Sequence, residues 1–249
     1  SKINDLDTNV GQEVAGDNGG TFLVEADGTS TFDPNGEFNY LAEGEITTTS
    51  INYTVEGYNG EHSTSTVSVT VTGINDAPNA VDDVKTVNAG FNAESAGLIS
   101  AYGFVFDNRL LSNDSDAEGD AMSISSVDGQ VLVAGSVTVT GSNGGVFTIS
   151  TDGSVHLDVS TGFETLAVGE TAVTSITYTV TDANGASTEA SYSVTVNGMN
   201  DAVVANSDDA ATTENAQIAL NILANDTAFD GDKTVSEVNG DALNVGQAA

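Results

Sequence analysis

Two segments of the chain carry oxygen-bearing side chains at regular spacing, and they match each other without a gap. Residues 111–120 are LSNDSDAEGD and residues 223–232 are LANDTAFDGD. Side chains at every second position of a loop can point the same way and converge on one cation. Calcium suits such a loop because it takes about six to eight oxygen ligands in flexible geometry. Without an ion, the crowded carboxylates would repel one another or take up protons. The spacing therefore predicts calcium binding at both segments.

Acidic residues outside these loops are candidates to complete the sites. Some lie in two linkers that share an Asn-Asp-Ala sequence, and one lies in a Thr-Asp-Ala-Asn-Gly turn. The first copy has Gly57 at the position of that turn's aspartate, so we expect this ligand to be missing there. The predicted calcium ligands are Asp76, Asp82, Asp83, Asn113, Asp114, Asp116, Glu118, Asp120, Asp182, Asp201, Asp208, Asp209, Asn225, Asp226, Asp230 and Asp232.

The same acids have a second interpretation. The twelve-residue EF-hand pattern with its terminal Glu is missing, and no Gly-Gly-x-Gly-x-Asp run occurs. Asp and Asn are also good turn residues and keep strands soluble. For any single residue this interpretation is the stronger one, whereas the joint recurrence of loop and linker acids favours calcium.

Alternating strands must position these loops. Residues 50–55 and 175–180 are the same strand in two copies, and each is followed by an Asn-Gly turn and a second alternating run, at 66–71 and 191–196. Two such runs joined by Asn-Gly predict an antiparallel hairpin. Further strands are predicted at 21–25, 131–140, 146–150 and 154–159, and no stretch has helical spacing over three turns. Many short strands separated by turns predict an all-β fold of tandem Greek-key β-sandwiches, of immunoglobulin-like or cadherin-like type.

The chain is internally repetitive. Residues 67–78 recur at 192–203, a shift of 125, and residues 236–249 match residues 1–14. A fixed period marks an array of modules that touch mainly their neighbours. We expect the C-terminal part of a first module at 1–76, a complete module at 77–201 and the N-terminal part of a third at 202–249, as a window onto a longer tandem protein.

Residues 91–108 have no counterpart in the third copy, so the sequence predicts an insertion there. It is either a loop folded over one end of the sandwich or a ligand-contacting elaboration, since loops on rigid scaffolds often carry recognition. In the second case the candidate binding residues are Tyr102, Phe104 and Arg109, the last being the only arginine in the chain.

Composition excludes several partners. Four Lys and Arg against 37 Asp and Glu give a formal charge of −33. Nucleic acids and anionic membrane surfaces select for the opposite sign, so we expect neither as a direct partner. There is no cysteine, and there is no long apolar run or signal peptide within these residues. The two histidines, His62 and His156, sit in no catalytic motif, so we expect no enzymatic activity.

A family resemblance follows from three runs. They are DDAATTEN at 208–215, ILAND at 222–226 with DGD at 230–232, and the pattern from Ile176 through Asp201. They resemble bacterial cadherin-like or VCBS-type repeats, with departures at Ala228 and Phe229. The resemblance implies extracellular sandwiches stacked end to end in large, often RTX-type, surface adhesins, with calcium rigidifying the linkers.

Three hypotheses for the function remain open. The first is a calcium-rigidified spacer of a bacterial surface adhesin, with neighbouring repeats as its partners and cell adhesion or biofilm formation as its role. The second is an adhesin module that binds a surface glycan or protein through residues 91–109. The third is a head-to-tail filament in which the 202–249 strands of one molecule complete the 1–76 sandwich of the next. A cut out of phase with the domains would give the same matching ends.

Overall fold

The computed structural model describes residues 2–88, 104–107, 110–133, 135–160, 162–239 and 242. Within these residues the fold is all-β, with fifteen strands and one 3₁₀ turn at Asp7–Asn9. They include no helix of the length and apolarity needed to cross a membrane. The chain divides into two compact units. Unit 1 comprises Ser1–Asn79, Asp114–Met122 and Thr181–Thr188, and unit 2 comprises Ala80–Asn113, Ser123–Val180 and Glu189–Ala249.

Unit 1 contains two three-stranded sheets that face each other. Its strands are β1 (Lys2–Ile3), β2 (Glu13–Ala15), β3 (Thr21–Val24), β4 (Ser30–Asp33), β5 (Ile46–Glu56) and β6 (His62–Thr72). The sheet orders are β1-β5-β6 and β2-β3-β4. The buried core joins Ile3 and Ile51 of one sheet to Phe22 of the other. Unit 1 is therefore a small β-sandwich.

The predicted hairpin of the first copy is confirmed. Strands β5 and β6 pair antiparallel, with Ile51 opposite Val67 and Glu56 opposite His62. Alternation explains the burial: Thr49 and Ile51 of β5 are buried, whereas Ile46 at its start is exposed. The turn between the strands closes with the Gly57 amide donating to the Glu61 carbonyl, at 2.7 Å.

Unit 2 holds the larger sandwich. Its strands are β7 (Asp83–Asn88), β8 (Phe104–Asp107), β9 (Ser123–Val127), β10 (Gln130–Val131), β11 (Ser136–Thr140), β12 (Val146–Ser150), β13 (Val155–Asp158), β14 (Thr171–Thr181) and β15 (Ser187–Asn197). The sheet orders are β10-β9-β14-β15-β7 and β11-β12-β13-β8. Phe147 of β12 and Tyr192 of β15 meet edge to face across the core, with ring centroids 6.0 Å apart. The predicted second hairpin, β14 with β15, is present.

Two sequence expectations need correction. The single strand predicted at 131–140 is wrong, because β10 and β11 lie in different sheets and Gly135 between them has φ +88°. Glycine adopts this left-handed conformation readily, and it breaks the extended run. Within the predicted insertion, residues 104–107 are not a loop: they form β8, which pairs antiparallel with β13. Residues 91–103 and 108 of that insertion lie outside the described residues.

Candidate metal centre

The acidic loop at 114–120 belongs to unit 1, and its side chains alternate in exposure. Asp114, Asp116, Glu118 and Asp120 are half-buried, whereas the residues between them are exposed. Gly119 has φ +80°, a conformation that costs glycine nothing and that lets the loop turn between Glu118 and Asp120. Four carboxylates are thus held on the inner side of one short loop.

Backbone amides hold one carboxylate oxygen of Asp116, whereas two other oxygens of the loop have no hydrogen-bond partner among the described residues. Oδ1 of Asp116 accepts hydrogen bonds from the amides of Glu118 and Asp120, at 3.1 and 3.0 Å. Oδ2 of Asp116 and Oε2 of Glu118 are buried and accept no hydrogen bond from any described residue. A buried carboxylate oxygen without a donor is costly, and each such atom requires an explanation such as an ion or a water molecule.

The loop is tied to the Asn-Asp-Ala linker. The Asp76 amide donates to Glu118 Oε1 at 3.0 Å. Three residues later Asn79 and Ser115 form an antiparallel bridge, with N–O distances of 2.7 and 3.2 Å. Glu118 therefore has one oxygen on the linker backbone and one that accepts no hydrogen bond, so an ion bound there would contact a residue that already holds the linker.

The hairpin turn that follows β14 places Asp182 in the same unit. Asp182 is 6% exposed. Its Oδ1 accepts the amides of Asn184, Gly185 and Ala186 at 2.9, 2.6 and 3.0 Å, and its Oδ2 accepts Asn75 Nδ2 at 2.9 Å. These donors, the Asn75 amide first, lower the pKa of Asp182 from its ordinary value. Asp182 is therefore ionised at neutral pH, and the hydrogen bonds that it accepts fix the turn.

Two asparagines that the sequence analysis did not single out connect these parts. Asn184 Nδ2 donates to Asn75 Oδ1 at 2.9 Å and to Asp120 Oδ2 at 2.7 Å. Asn75 also reaches Asp182, so linker, loop and turn share one hydrogen-bond network. Each asparagine has a counterpart in another copy, at Asn200 and Asn59, and this repetition was the available signal.

Three further predicted ligands make hydrogen bonds within unit 2. Asp82 Oδ1 accepts the Ser191 amide at 2.8 Å, which lowers the pKa of Asp82, and Asp83 Oδ2 accepts the Tyr178 hydroxyl at 2.7 Å. Asn113 Nδ2 donates to the Val81 carbonyl at 3.1 Å. These contacts anchor the start of β7.

The second acidic loop, in unit 2, repeats part of this arrangement. The Asp201 amide donates to Asp230 Oδ2, and Val204 bridges Thr227. Oδ1 of Asp230 is buried, and within the described part of the chain it accepts no hydrogen bond.

The remaining predicted ligands of the second copy have other positions. Asp226 Oδ1 accepts the Asn206 amide at 2.8 Å, and Asn225 Nδ2 donates to the Ser207 carbonyl at 3.0 Å. Asp208, Asp209 and Asp232 are exposed.

The donor set of unit 1 fits a hard cation, although the carboxylates alone do not enclose one. Among the described residues, no group of three or more His, Cys, Asp or Glu side chains is arranged to hold a metal ion. Calcium also uses amide oxygens, backbone carbonyls and water. Two buried, partnerless carboxylate oxygens in a loop with four acids match that chemistry.

The candidate ligand-binding residues cannot be placed as a site. Tyr102 and Arg109 lie outside the described residues, and Phe104 is the first residue of β8, where it pairs with Asp158 of β13.

Comparisons with known proteins identify part of the chain. Residues 75–198 match the family model of the bacterial cadherin-like domain. No curated protein matches the sequence.

Three solved structures illustrate the structural similarity. One is a nucleoside hydrolase-related hypothetical protein from Saccharophagus degradans associated with carbohydrate metabolism, at 22% identity over 50% of this chain and 26% of that chain, with TM-score 0.26. Another is human mucin-like protocadherin EC1-2, at 15% identity over 71% of this chain and 78% of that chain, with TM-score 0.32. A third is a Ca²⁺-stabilized adhesin that helps an Antarctic bacterium bind ice, at 19% identity over 75% of this chain and 40% of that chain, with TM-score 0.22. The chain thus spans 26% and 40% of the length of two of these three proteins.

Proposed function

Because residues 75–198 form a bacterial cadherin-like domain, we propose that this chain is a calcium-rigidified spacer in a large bacterial surface adhesin. Cadherin-like domains are adhesion-type extracellular repeats, and the proposal adds the calcium dependence, the adhesin of RTX type and a role in adhesion or biofilm formation. The partners are the neighbouring repeats of the same protein. The role is mechanical and non-enzymatic.

One observation supports calcium above all others. Asp116 Oδ2 and Glu118 Oε2 are buried acceptors to which no described residue donates, in the loop whose Glu118 accepts a hydrogen bond from the Asp76 amide. Two like-charged carboxylates in this position repel each other, and a cation between them removes that repulsion. A bound Ca²⁺ supplies that charge and the missing contacts.

The residues of unit 1 divide the task between them. Asp116 and Glu118, with Asp114 and Asp120 beside them, would hold the ion. Asn75, Asp182 and Asn184 orient the linker and the hairpin turn through their hydrogen-bond network. An ion that fixes Glu118 also fixes Asp76 of the linker, whose amide donates a hydrogen bond to Glu118. The linker then loses conformational freedom, which is what stiffens an array of modules.

Charge gives the same ion a second effect. A chain with formal charge −33 repels itself along its length. Neutralising the acids of the 114–120 loop lowers this repulsion at the loop and at the linker that it holds.

The test is thermal unfolding of the full chain in excess EDTA and in millimolar CaCl₂ at matched ionic strength, with MgCl₂ as the comparison. An ion that binds only the folded state stabilises it by about 2.7 kcal/mol at a concentration 100 times its dissociation constant. We expect a rise in midpoint with Ca²⁺ and little with Mg²⁺, which demands a tighter octahedral shell. Equal midpoints in all three solutions would reject the proposal.

A further inference from the structure

The hairpin turns of the two copies have the same backbone closure but differ in a carboxylate. The first turn, between β5 and β6, is Gly-Tyr-Asn-Gly-Glu at 57–61, and the second turn, after β14, is Asp-Ala-Asn-Gly-Ala at 182–186. In each turn the amide of the first residue donates to the carbonyl of the last, at 2.7 Å in the first turn and 3.1 Å in the second. The second turn begins with an aspartate where the first has a glycine, and both contain an Asn-Gly pair.

An Asn-Gly pair is the dipeptide most prone to deamidation. The backbone nitrogen of the glycine loses its proton and attacks the side-chain carbon Cγ of the asparagine. The bond from Cγ to Nδ2 breaks, Nδ2 takes up a proton and leaves as ammonia, and a cyclic succinimide remains. Water then opens the ring to aspartate or isoaspartate. Glycine favours the reaction because it has no Cβ and its backbone moves freely. No enzyme or cofactor is needed, so the fold decides whether the pair reacts.

The second turn holds both reacting groups. The Gly185 amide donates to Asp182 Oδ1 at 2.6 Å. A carboxylate in this position opposes loss of the amide proton, because the resulting anion would lie beside a like charge. The Asn184 carboxamide is also fixed, since its Nδ2 donates to Asn75 Oδ1 at 2.9 Å and to Asp120 Oδ2 at 2.7 Å. Ring closure at Asn184 must break these hydrogen bonds first.

The first turn has no carboxylate on its glycine nitrogen. The Gly60 amide donates to the Gly57 carbonyl at 3.0 Å, and Gly57 has no side chain that could replace Asp182. Gly60 has φ +80° and Gly185 has φ +99°, so both glycines have the same left-handed conformation. Backbone conformation therefore does not separate the two pairs, whereas the carboxylate does.

Deamidation of the second turn would damage the network that joins linker, loop and turn. Aspartate at position 184 could not donate to Asn75 or to Asp120. Its carboxylate would instead lie beside Asp120 Oδ2, where the amide now donates at 2.7 Å, and the like charges would repel each other. An intact amide at Asn184 is thus a condition for this network.

We propose that Asp182 protects the Asn184–Gly185 pair from spontaneous deamidation, and that Asn59–Gly60, whose turn lacks this carboxylate, is a site of the modification. Asp182 acts as a positioning residue: it binds the glycine nitrogen and keeps it from the asparagine side chain. The product at Asn59 is an additional carboxylate in the β5–β6 turn.

Peptide mass spectrometry of the folded full chain, incubated in EDTA at mildly alkaline pH, measures both reactions through the mass increase from amide to acid. We expect Asn59 to convert at least about tenfold faster than Asn184, because hydrogen bonds to charged groups must break at Asn184. In denaturant the two sites should convert at similar rates. Equal rates in the folded chain overturn the proposal. A difference that persists in denaturant also overturns it, since the neighbouring residues and not Asp182 would then cause it.

Exchanging the first residue of the turns tests the role of the carboxylate. Gly57→Asp should slow conversion of Asn59 by about tenfold. The side chain has room, because the nearest atoms to a Cβ added at Gly57 lie at 3.6 Å. Gly57→Ala, which adds a Cβ without a charge, is the matched control and should leave the rate unchanged. Asp182→Gly should accelerate conversion of Asn184. Local unfolding could only accelerate the reaction, so an unchanged rate at Asn59 in Gly57→Asp overturns the proposal.

Discussion

The two junctions of the chain, each an Asn-Asp-Ala linker with its acidic loop, share a frame and differ in charge. In both, a linker aspartate amide donates to an acid of the loop: Asp76 to Glu118 and Asp201 to Asp230. In both, a backbone bridge follows three residues after that aspartate. The first loop has Asp116, which accepts two amides, where the second has Ala228.

This difference separates the contacts that form a junction from the carboxylates that would bind an ion there. The second junction has both the backbone bridge and the amide-to-carboxylate bond although Ala228 stands where the first has Asp116. These two contacts therefore depend on backbone geometry and on a single acid, which is Glu118 or Asp230. Among the described residues, Asp116 and Glu118 of the first junction each have one buried carboxylate oxygen without a hydrogen-bond partner. In the second junction Asp230 has one such oxygen. We infer that the first junction binds calcium more tightly than the second.

The largest expected effect concerns the glycine that comes two residues before each Asn-Asp-Ala linker, where the structure leaves no room for a side chain. A Cβ added at Gly73 would lie 2.4 Å from the Leu41 and Ala42 carbonyl oxygens, and one at Gly198 would lie 2.2 Å from that of Ala167. Backbone atoms cannot move cheaply, so Gly73→Ala and Gly198→Ala should each lower the free energy of unfolding by about 2–3 kcal/mol. Denaturant titration measures both.

Gly57→Ala is the control for these substitutions, since the nearest atoms to its added Cβ lie at 3.6 Å, an ordinary van der Waals contact. If Gly73→Ala or Gly198→Ala lowered the free energy of unfolding no more than Gly57→Ala does, the two junctions would not share a requirement for glycine at this position.

The next effect separates the first junction from the rest of the acidic surface. Glu118→Gln removes the charge from a carboxylate whose buried Oε2 accepts no hydrogen bond from the described residues. It should abolish most of the stabilisation by calcium, which amounts to about 2.7 kcal/mol at 100 times the dissociation constant, and with it most of the rise in melting midpoint. Glu61→Gln, the same change at an exposed hairpin turn, should keep the full rise. Equal losses in both variants would mean that calcium acts through general charge screening.

An exchange between the junctions should have a smaller effect. Asp116→Ala makes the first loop resemble the second, and Ala228→Asp makes the second resemble the first. Because one carboxylate among several ligands is moved, we expect calcium affinity to change by about tenfold, or about 1.4 kcal/mol, and in opposite directions. Calorimetric titration measures both affinities. Weaker binding in both variants would contradict the comparison.

How far the sequence predicted this structure depends on the range of the interaction. The hairpins were predictable because alternation and Asn-Gly turns are local signals. The alternating exposure of residues 114–120 was predictable for the same reason. The break at Gly135 was not, because only the packing of two sheets decides that β10 and β11 separate.

The remaining parts of the candidate site depend on contacts between distant residues. Asn75 and Asp182 are 107 residues apart, and Asn184 reaches Asp120 over 64 residues. No local pattern indicates such pairs. Asp82 and Asp83 have the same residue type as the loop acids, yet Ser191 and Tyr178 bind them in unit 2, and sequence alone gives no reason to separate the two groups.

The smallest effect concerns acid stability and compares the sandwiches themselves. Asp17 accepts the Ser50 hydroxyl at 2.8 Å and the Ser50 amide at 2.5 Å, and these bonds lower its pKa below 3.8. The counterpart in unit 2 is Ser142, whose Oγ accepts the Ser175 amide at 3.0 Å. A carboxyl with a lowered folded-state pKa contributes stability above its ordinary pKa and loses it as the pH falls through the folded value.

Asp17→Ser should therefore reduce stability at neutral pH slightly and flatten its decline below pH 3.8. Thermal melts between neutral pH and about pH 2 check this slope. An unchanged slope would show that the Ser50 contacts do not contribute.

The most direct test of the central claim is hydrogen exchange of the full chain, with and without Ca²⁺. If calcium binds the 114–120 loop and fixes the linker, the amides of Asp76, Asn79 and Ser115 should gain protection with Ca²⁺ but not with Mg²⁺. The amides of the β5–β6 hairpin should remain unchanged. Identical exchange at Asp76, Asn79 and Ser115 in calcium and in EDTA would contradict the account.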